Sequence, residues 1–332
     1  MGERQKMPEV DFYPNVKQAA SLNNEMHSML IDSLDYLSQF IDPSPELAQW
    51  SDGLRGSNQL RPAGFAAYYD LISALQADDN AGAQKAFKTV LQSARPKAGP
   101  AILRLGPDYD YLTVERFQRY MGNGLTGASG IAPVSQAVAA PYEETLRAAL
   151  DWIAASDPDF SAEFKELISE IILVAPDGTS QNEFEGGSSF RLWGALFLNA
   201  EREFTTTELV TSLAHEQGHT VLFGLSRDEM LVENPDSELF WSPIRQSKRP
   251  LEGIFHATFV SARMIRILLK LRASNSVSEA ERRQTGAQLE ETTRIYKEGA
   301  QIIRQNARMT MTGQAVMEAM ERGMANLLAT AL

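Results

Sequence analysis

The stretch from Thr205 to Gly224, TTTELVTSLAHEQGHTVLFG, decides how this chain is read. Thr205 followed by Glu208 is a T-x-x-E capping box, so the spacing predicts a helix starting at Thr205. The helix should run to about Phe223, with Gly224 as its C′ stop. Inside it stands His215-Glu216-Gln217-Gly218-His219, an H-E-x-x-H sequence. Residues four apart lie one turn from each other on one helical face. Both imidazoles can therefore reach one metal ion, with Glu216 beside them. The chain has only four histidines, His27, His215, His219 and His256, so the motif is not a by-product of a histidine-rich composition.

Composition narrows the chemistry. A chain of 332 residues can bury a sizeable core, as one large domain or two ordinary ones. Its net charge of −12 makes it a poor match for nucleic-acid phosphates, which need a basic surface. The absence of cysteine excludes disulfides, thiolate metal sites and a cysteine nucleophile, so a metal must be held by nitrogen and oxygen. No apolar run approaches the roughly 18–20 residues that span a bilayer. Met1 to Val10 is polar and lacks the apolar core of a secretory signal. A cytoplasmic protein with no membrane or nucleic-acid partner is expected.

Outward from the motif, most segments have helical periodicity. Helices are expected over Val16–Ile41, Gly64–Leu75, Ala81–Ala94, Tyr142–Ala155, Leu251–Leu271, Ser278–Arg308 and Met311–Ala331. Pro43 and Pro45 interrupt the first. Ile171 to Val174, closed by Pro176-Asp177-Gly178, reads as a strand and turn, and Leu192–Asn199 as a second strand. Glu185 to Ser189 reads as a loop between them. Gly106–Val134, with Gly122, Gly124, Gly127 and Gly130, reads as a loop-rich connection, and Asp228–Pro250 as irregular. The expected fold is mainly α (α+β): a helical N-terminal region over 1–100 and a helical metal-binding catalytic region with a small β-sheet over 130–332. Together they form one catalytic unit over 1–332.

A catalytic metal usually takes three protein ligands and leaves a position open. Glu252 and His256 are again four apart on one face of the Leu251–Leu271 helix. His256 is the leading candidate for the third ligand, with Glu252 as the alternative or as its partner; His27, far upstream, reads as structural. Two chemistries suit such a set. In a zinc peptidase Glu216 would take a proton from metal-bound water. The extended metzincin pattern, however, needs Gly and His where this chain has Leu222 and Leu225. In a non-haem Fe(II) oxygenase three ligands hold iron, and the far carboxylate of a 2-oxoglutarate co-substrate wants an arginine fork. Arg245, Arg249 and Arg263 are available for that, and spacing does not choose among them. A binding protein that has lost catalysis is a third class.

The segment Arg249-Pro250-Leu251-Glu252-Gly253-Ile254-Phe255-His256-Ala257, some thirty residues after the H-E-x-x-H helix, resembles the 2-oxoglutarate/Fe(II)-dependent H-E-x-x-H-type peptide β-hydroxylases. That family is associated with the biosynthesis of ribosomally made, modified peptides. The helical N-terminal region, the Leu192–Asn199 strand and the loop bearing Trp241-Ser242-Pro243 are similar too. The resemblance implies that His215, His219 and His256 bind Fe(II). It implies that Arg249 or Arg263 anchors 2-oxoglutarate, and that Glu216 positions substrate rather than acting as a hydrolytic base. The implied reaction is hydroxylation, with O2, of a β-carbon in a precursor peptide, which could lie along the edge of the Leu192–Asn199 strand.

Overall fold

The computed structural model describes residues 8–41, 58–121, 130–178 and 185–330. In chain order these form α1 (Val16–Ile41), β1 (Asn58–Leu60), α2 (Pro62–Gln76), α3 (Asn80–Gln92), β2 (Ala94–Pro96), β3 (Ala101–Arg104) and α4 (Tyr111–Met121). There follow β4 (Ile131–Ala132), α5 (Gln136–Ser156), α6 (Pro158–Leu167), β5 (Glu170–Pro176), β6 (Gly186–Gly187) and β7 (Ala195–Asn199). The chain continues through α7 (Thr206–Leu225), β8 (Leu239–Ser242), β9 (Ser247–Pro250), α8 (Leu251–Ala273), α9 (Glu279–Asn306) and α10 (Met311–Thr330). The protein is mainly α with a small β component. None of the described helices is long and apolar enough to cross a membrane. Pro43, Pro45, Gly122, Gly124 and Gly127 lie outside the described residues. The chain divides into two compact units.

The first unit spans residues 19–144 and 164–203. At its centre β5 runs parallel to β3 on one side and to β7 on the other, β4 pairs antiparallel with the end of β5, and β6 pairs antiparallel with β7. Every residue of β5 except Pro176 is buried. A strand covered on both faces reads as an unbroken apolar run, which is why Ile171 to Val174 shows no alternation. Ile172, Val174 and Phe197 pack with Leu105, Phe117 and Ile131.

Four expectations need correction in this unit. The segment Glu185–Ser189, expected as a loop, contains the short strand β6, which pairs with β7. The strand anticipated from Leu192 starts at Ala195, because Phe190–Leu192 forms a 3-10 turn and Gly194 takes a left-handed φ of 84°. β7 is buried at all its residues and lies between β5 and β6, so it offers no open edge over Phe197–Leu198. The segment Gly106–Val134 is not all loop, since it contains α4. Asp110 starts that helix by accepting from the Thr113 N–H at 3.0 Å, and Val114, Phe117 and Met121 turn one face inward.

The second unit spans residues 1–18, 145–163 and 204–332. It begins α7 with the capping box anticipated from sequence: Thr205 Oγ1 accepts from Glu208 N at 3.3 Å, and Glu208 Oε2 accepts from Thr205 N at 2.8 Å. A box of this kind is worth about 1 kcal/mol. α7 continues through Gly224 to Leu225, with Ser226 as C-cap, so Gly224 does not stop it. Gly218 has a different use. A Cβ there would stand 3.1 Å from Val260 Cγ1 and 3.5 Å from its Cα, so the bare glycine lets α7 press against α8. This close approach brings the motif to the helix that carries His256. The segment Asp228–Pro250 is more regular than expected. β8 and β9 pair as an antiparallel hairpin whose turn holds Gln246 at φ 48°, and β9 runs directly into α8.

Candidate metal centre

All the residues of the H-E-x-x-H motif, with Glu252 and His256, lie in the second unit. His215 and His219 present their Nε2 atoms to each other at 3.1 Å. The His256 ring stacks beside that of His219, with centroids 5.8 Å apart and planes 24° off parallel, and Phe223 packs against both. His215 Nδ1 lies 3.3 Å from Met264 Sδ. A thioether can only accept, so Nδ1 carries the proton and Nε2 keeps its lone pair toward His219. With metal–nitrogen bonds of about 2.1 Å, two nitrogens at this separation can share one ion. The Nδ1 of His219 is buried and has no hydrogen-bond partner among the described residues. Buried polar atoms without a partner are uncommon in folded proteins.

Burial keeps the imidazoles of His215 and His219 neutral. Burial, reinforced by the nearby charge of Arg245, pushes the His215 pKa down to about 4. Burial first, then the neighbouring His215, His256 and Arg245, hold His219 well below the ordinary histidine range. Neutral imidazole is the form that can donate a lone pair to a metal.

A stability prediction follows from the sign of these shifts. The folded-state values lie below the unfolded value near 6.5, so the unfolded chain binds more protons as pH falls. Their contribution is complete above about pH 6.5 and is lost as pH falls toward about 4. Thermal melts of the metal-free protein should show a falling Tm across this window, and His219→Gln should flatten the curve. A Tm independent of pH there would contradict the burial of neutral histidines.

The carboxylates lie beside the rings. Glu216 is buried, with Oε1 3.9 Å from His215 Nε2. Glu252 is buried too, and its Oε1 is 3.6 Å from His256 Nε2. Both its oxygens accept from the Leu231 N–H, and Oε2 also accepts from the Val232 N–H at 3.2 Å. It therefore fastens the chain after α7 to the start of α8. Among the described residues no three histidine or carboxylate donors already stand in ligating geometry around one point. The observed arrangement is a pair of facing imidazoles with a third stacked alongside. The donor set suits a metal held by nitrogen and oxygen, such as Fe(II) or Zn(II).

The three candidate arginines separate clearly. Arg245 sits exposed at the hairpin turn, where its charge acts on His215 and His219. Arg249, half-buried on β9, donates from Nε to Ser247 Oγ at 3.3 Å. Across the hairpin it pairs with Phe240, on the same face as buried Ser242. Arg263 is committed elsewhere. It is buried, donates to Phe12 O at 3.0 Å and to Gln217 Oε1 at 3.0 Å, and forms an ion pair with buried Glu163. Glu163 also accepts from Gln217 Nε2 at 2.6 Å and from Asn15 N at 2.7 Å. This network links α7 to α8 through a residue inside the motif, and sequence spacing gave no sign of it. His27 lies in the first unit, buried against Phe65, with Nδ1 bonded to Asn23 O at 2.7 Å.

No family model matches this sequence, and no curated protein matches it.

Proposed function

We propose that the protein is an Fe(II)/2-oxoglutarate-dependent dioxygenase that hydroxylates a β-carbon in a ribosomally made precursor peptide. The observation that carries this reading is the gathering of three histidines on α7 and α8, two of them with Nε2 atoms 3.1 Å apart, with the β8–β9 hairpin leading straight into α8. The resemblance of Arg249 to Ala257 to the peptide β-hydroxylases supports iron as the metal. Iron with 2-oxoglutarate and O2 supplies the oxidising power to remove hydrogen from an unactivated carbon.

The chain's own residues do the rest. His215, His219 and His256 would hold the metal through their ring nitrogens. Glu252, beside His256, holds the segment at Leu231–Val232 by accepting from its N–H groups, and Glu216 lies against His215 where it can orient substrate. Arg249 would take the far carboxylate of 2-oxoglutarate as a bidentate fork. Arg263 is not suited to that task, because Glu163 already neutralises it; its role is to hold α7 against α8. The charge of Arg245 adds to burial in lowering the pKa of His215 and His219.

Arg249→Gln removes a charge-assisted pair worth about 1.5–3 kcal/mol, so the 2-oxoglutarate requirement should rise about ten- to hundredfold while metal content is unchanged. Titration of succinate release against 2-oxoglutarate checks this, and an unchanged requirement would remove Arg249 from the role. One observation favours a second reading. Glu216 is buried 3.9 Å from His215 Nε2, where a zinc peptidase would place its general base. The two readings separate in one incubation. Oxygenation adds one oxygen to the peptide and releases succinate, whereas hydrolysis cleaves the peptide with zinc and needs no co-substrate.

A further inference from the structure

The hairpin β8–β9 has two unlike faces. Its register pairs Leu239 with Pro250, Phe240 with Arg249, Trp241 with Lys248 and Ser242 with Ser247. Side chains alternate across a strand, so Leu239, Trp241 and Lys248 share one face, and Phe240, Ser242 and Arg249 the other. The second face is buried or half-buried. The first is open: Leu239 is 49% exposed and Trp241 59% exposed, and Lys248 beside them is exposed. Among the described residues neither strand of the hairpin pairs with a third. From Leu239 to Leu251 the chain carries Arg245, Lys248 and Arg249 and no acidic residue, within a protein of net charge −12.

We infer that this outer face binds an extended peptide segment that alternates apolar and acidic side chains, laid along the hairpin as an added strand. Leu239 and Trp241, two residues apart on one strand, match the side-chain period of such a segment. Lys248 on this face and Arg245 exposed at the turn, with no acidic residue between Leu239 and Leu251, favour acidic over basic partners. β7, buried and paired on both sides, does not offer a comparable edge. Because β9 passes into α8 without a break, a peptide held here is delivered to the element that bears His256. The proposal deepens the peptide-modifying reading: the acidic-apolar segment is the part of the substrate that the hairpin grips.

The test uses the full chain without metal, so its outcome does not depend on whether the chemistry is oxygenation or hydrolysis. Two fluorescein-labelled probes are compared by anisotropy: three Asp-Leu-Glu-Phe repeats, and the same peptide with lysine at every acidic position. The acidic probe should bind at least about tenfold more tightly, with affinity falling as salt rises. Trp241→Ala should weaken it about tenfold or more. Lys248→Glu, at an exposed position, should narrow the preference for the acidic probe without lowering Tm. Equal binding of both probes, or unchanged affinity in both variants, would overturn the inference. So would a concentration-dependent dimer abolished by Trp241→Ala in protein that binds neither peptide, since the face would then belong to a second copy of the chain.

Discussion

Replacing His256 by alanine should abolish metal-dependent turnover. Disturbing a residue that merely supports a metal ligand costs about 10–100-fold, so loss of a ligand should exceed about 100-fold in activity and lower bound metal as well. His219→Ala should do the same, since its Nε2 is one of the two that face each other at 3.1 Å. Metal stoichiometry after dialysis, measured beside succinate release, distinguishes a lost ligand from a lost fold, and His256→Gln keeps the site filled if the cavity left by alanine is disruptive. If His256→Ala retains both metal and turnover, the third-ligand role passes to Glu252, whose Oε1 stands 3.6 Å from the same ring.

The second large effect is on stability. Glu163→Ala would leave the Arg263 guanidinium buried without its counter-charge and would strip a hydrogen-bond acceptor from Gln217 and from the Asn15 N–H. Breaking a buried ion pair from one side costs about 3–5 kcal/mol, because the remaining charge has no water to turn to. Chemical denaturation should show a loss of that size. The triple replacement Glu163→Leu, Gln217→Leu, Arg263→Met removes every charge at once and should be less destabilised than Glu163→Ala alone. A loss below about 1 kcal/mol in Glu163→Ala would mean that the network does not join α7 to α8.

What could be read from sequence depended on how local the determining contacts are. The start of α7 was legible because Thr205 and Glu208 satisfy each other within one turn, and the pairing of His215 with His219 because helical geometry alone sets it. The end of α7 was not, because its burial against α8 carries the helix past Gly224. α4 was missed because glycines surround it; the signal that would have found it was Asp110 as N-cap, followed by Val114, Phe117 and Met121 at helical spacing. α6 was missed although Asp157-Pro158 is a sound helix start, with aspartate as cap and proline at the first position. Buried Asp157 also accepts from Arg266 and ion-pairs with Lys270, partners more than a hundred positions away. The same distance hid the assignment of Arg263. Seven residues from His256 it shares a helical face with it, and only the fold shows that Glu163 and Gln217 hold its guanidinium. The exposed face of the hairpin was equally hidden, since nothing in Leu239 to Pro250 marks which side of a strand will be covered.

A mass measurement separates oxygenation from hydrolysis most directly. Protein loaded anaerobically with Fe(II) is mixed with 2-oxoglutarate and a candidate precursor peptide and then exposed to oxygen-18 gas. Succinate release is expected together with a peptide heavier by one oxygen atom, labelled from the gas and located at a β-carbon. Peptide cleavage supported by zinc, with no 2-oxoglutarate requirement and no label from the gas, would contradict oxygenation and return Glu216 to the role of hydrolytic base.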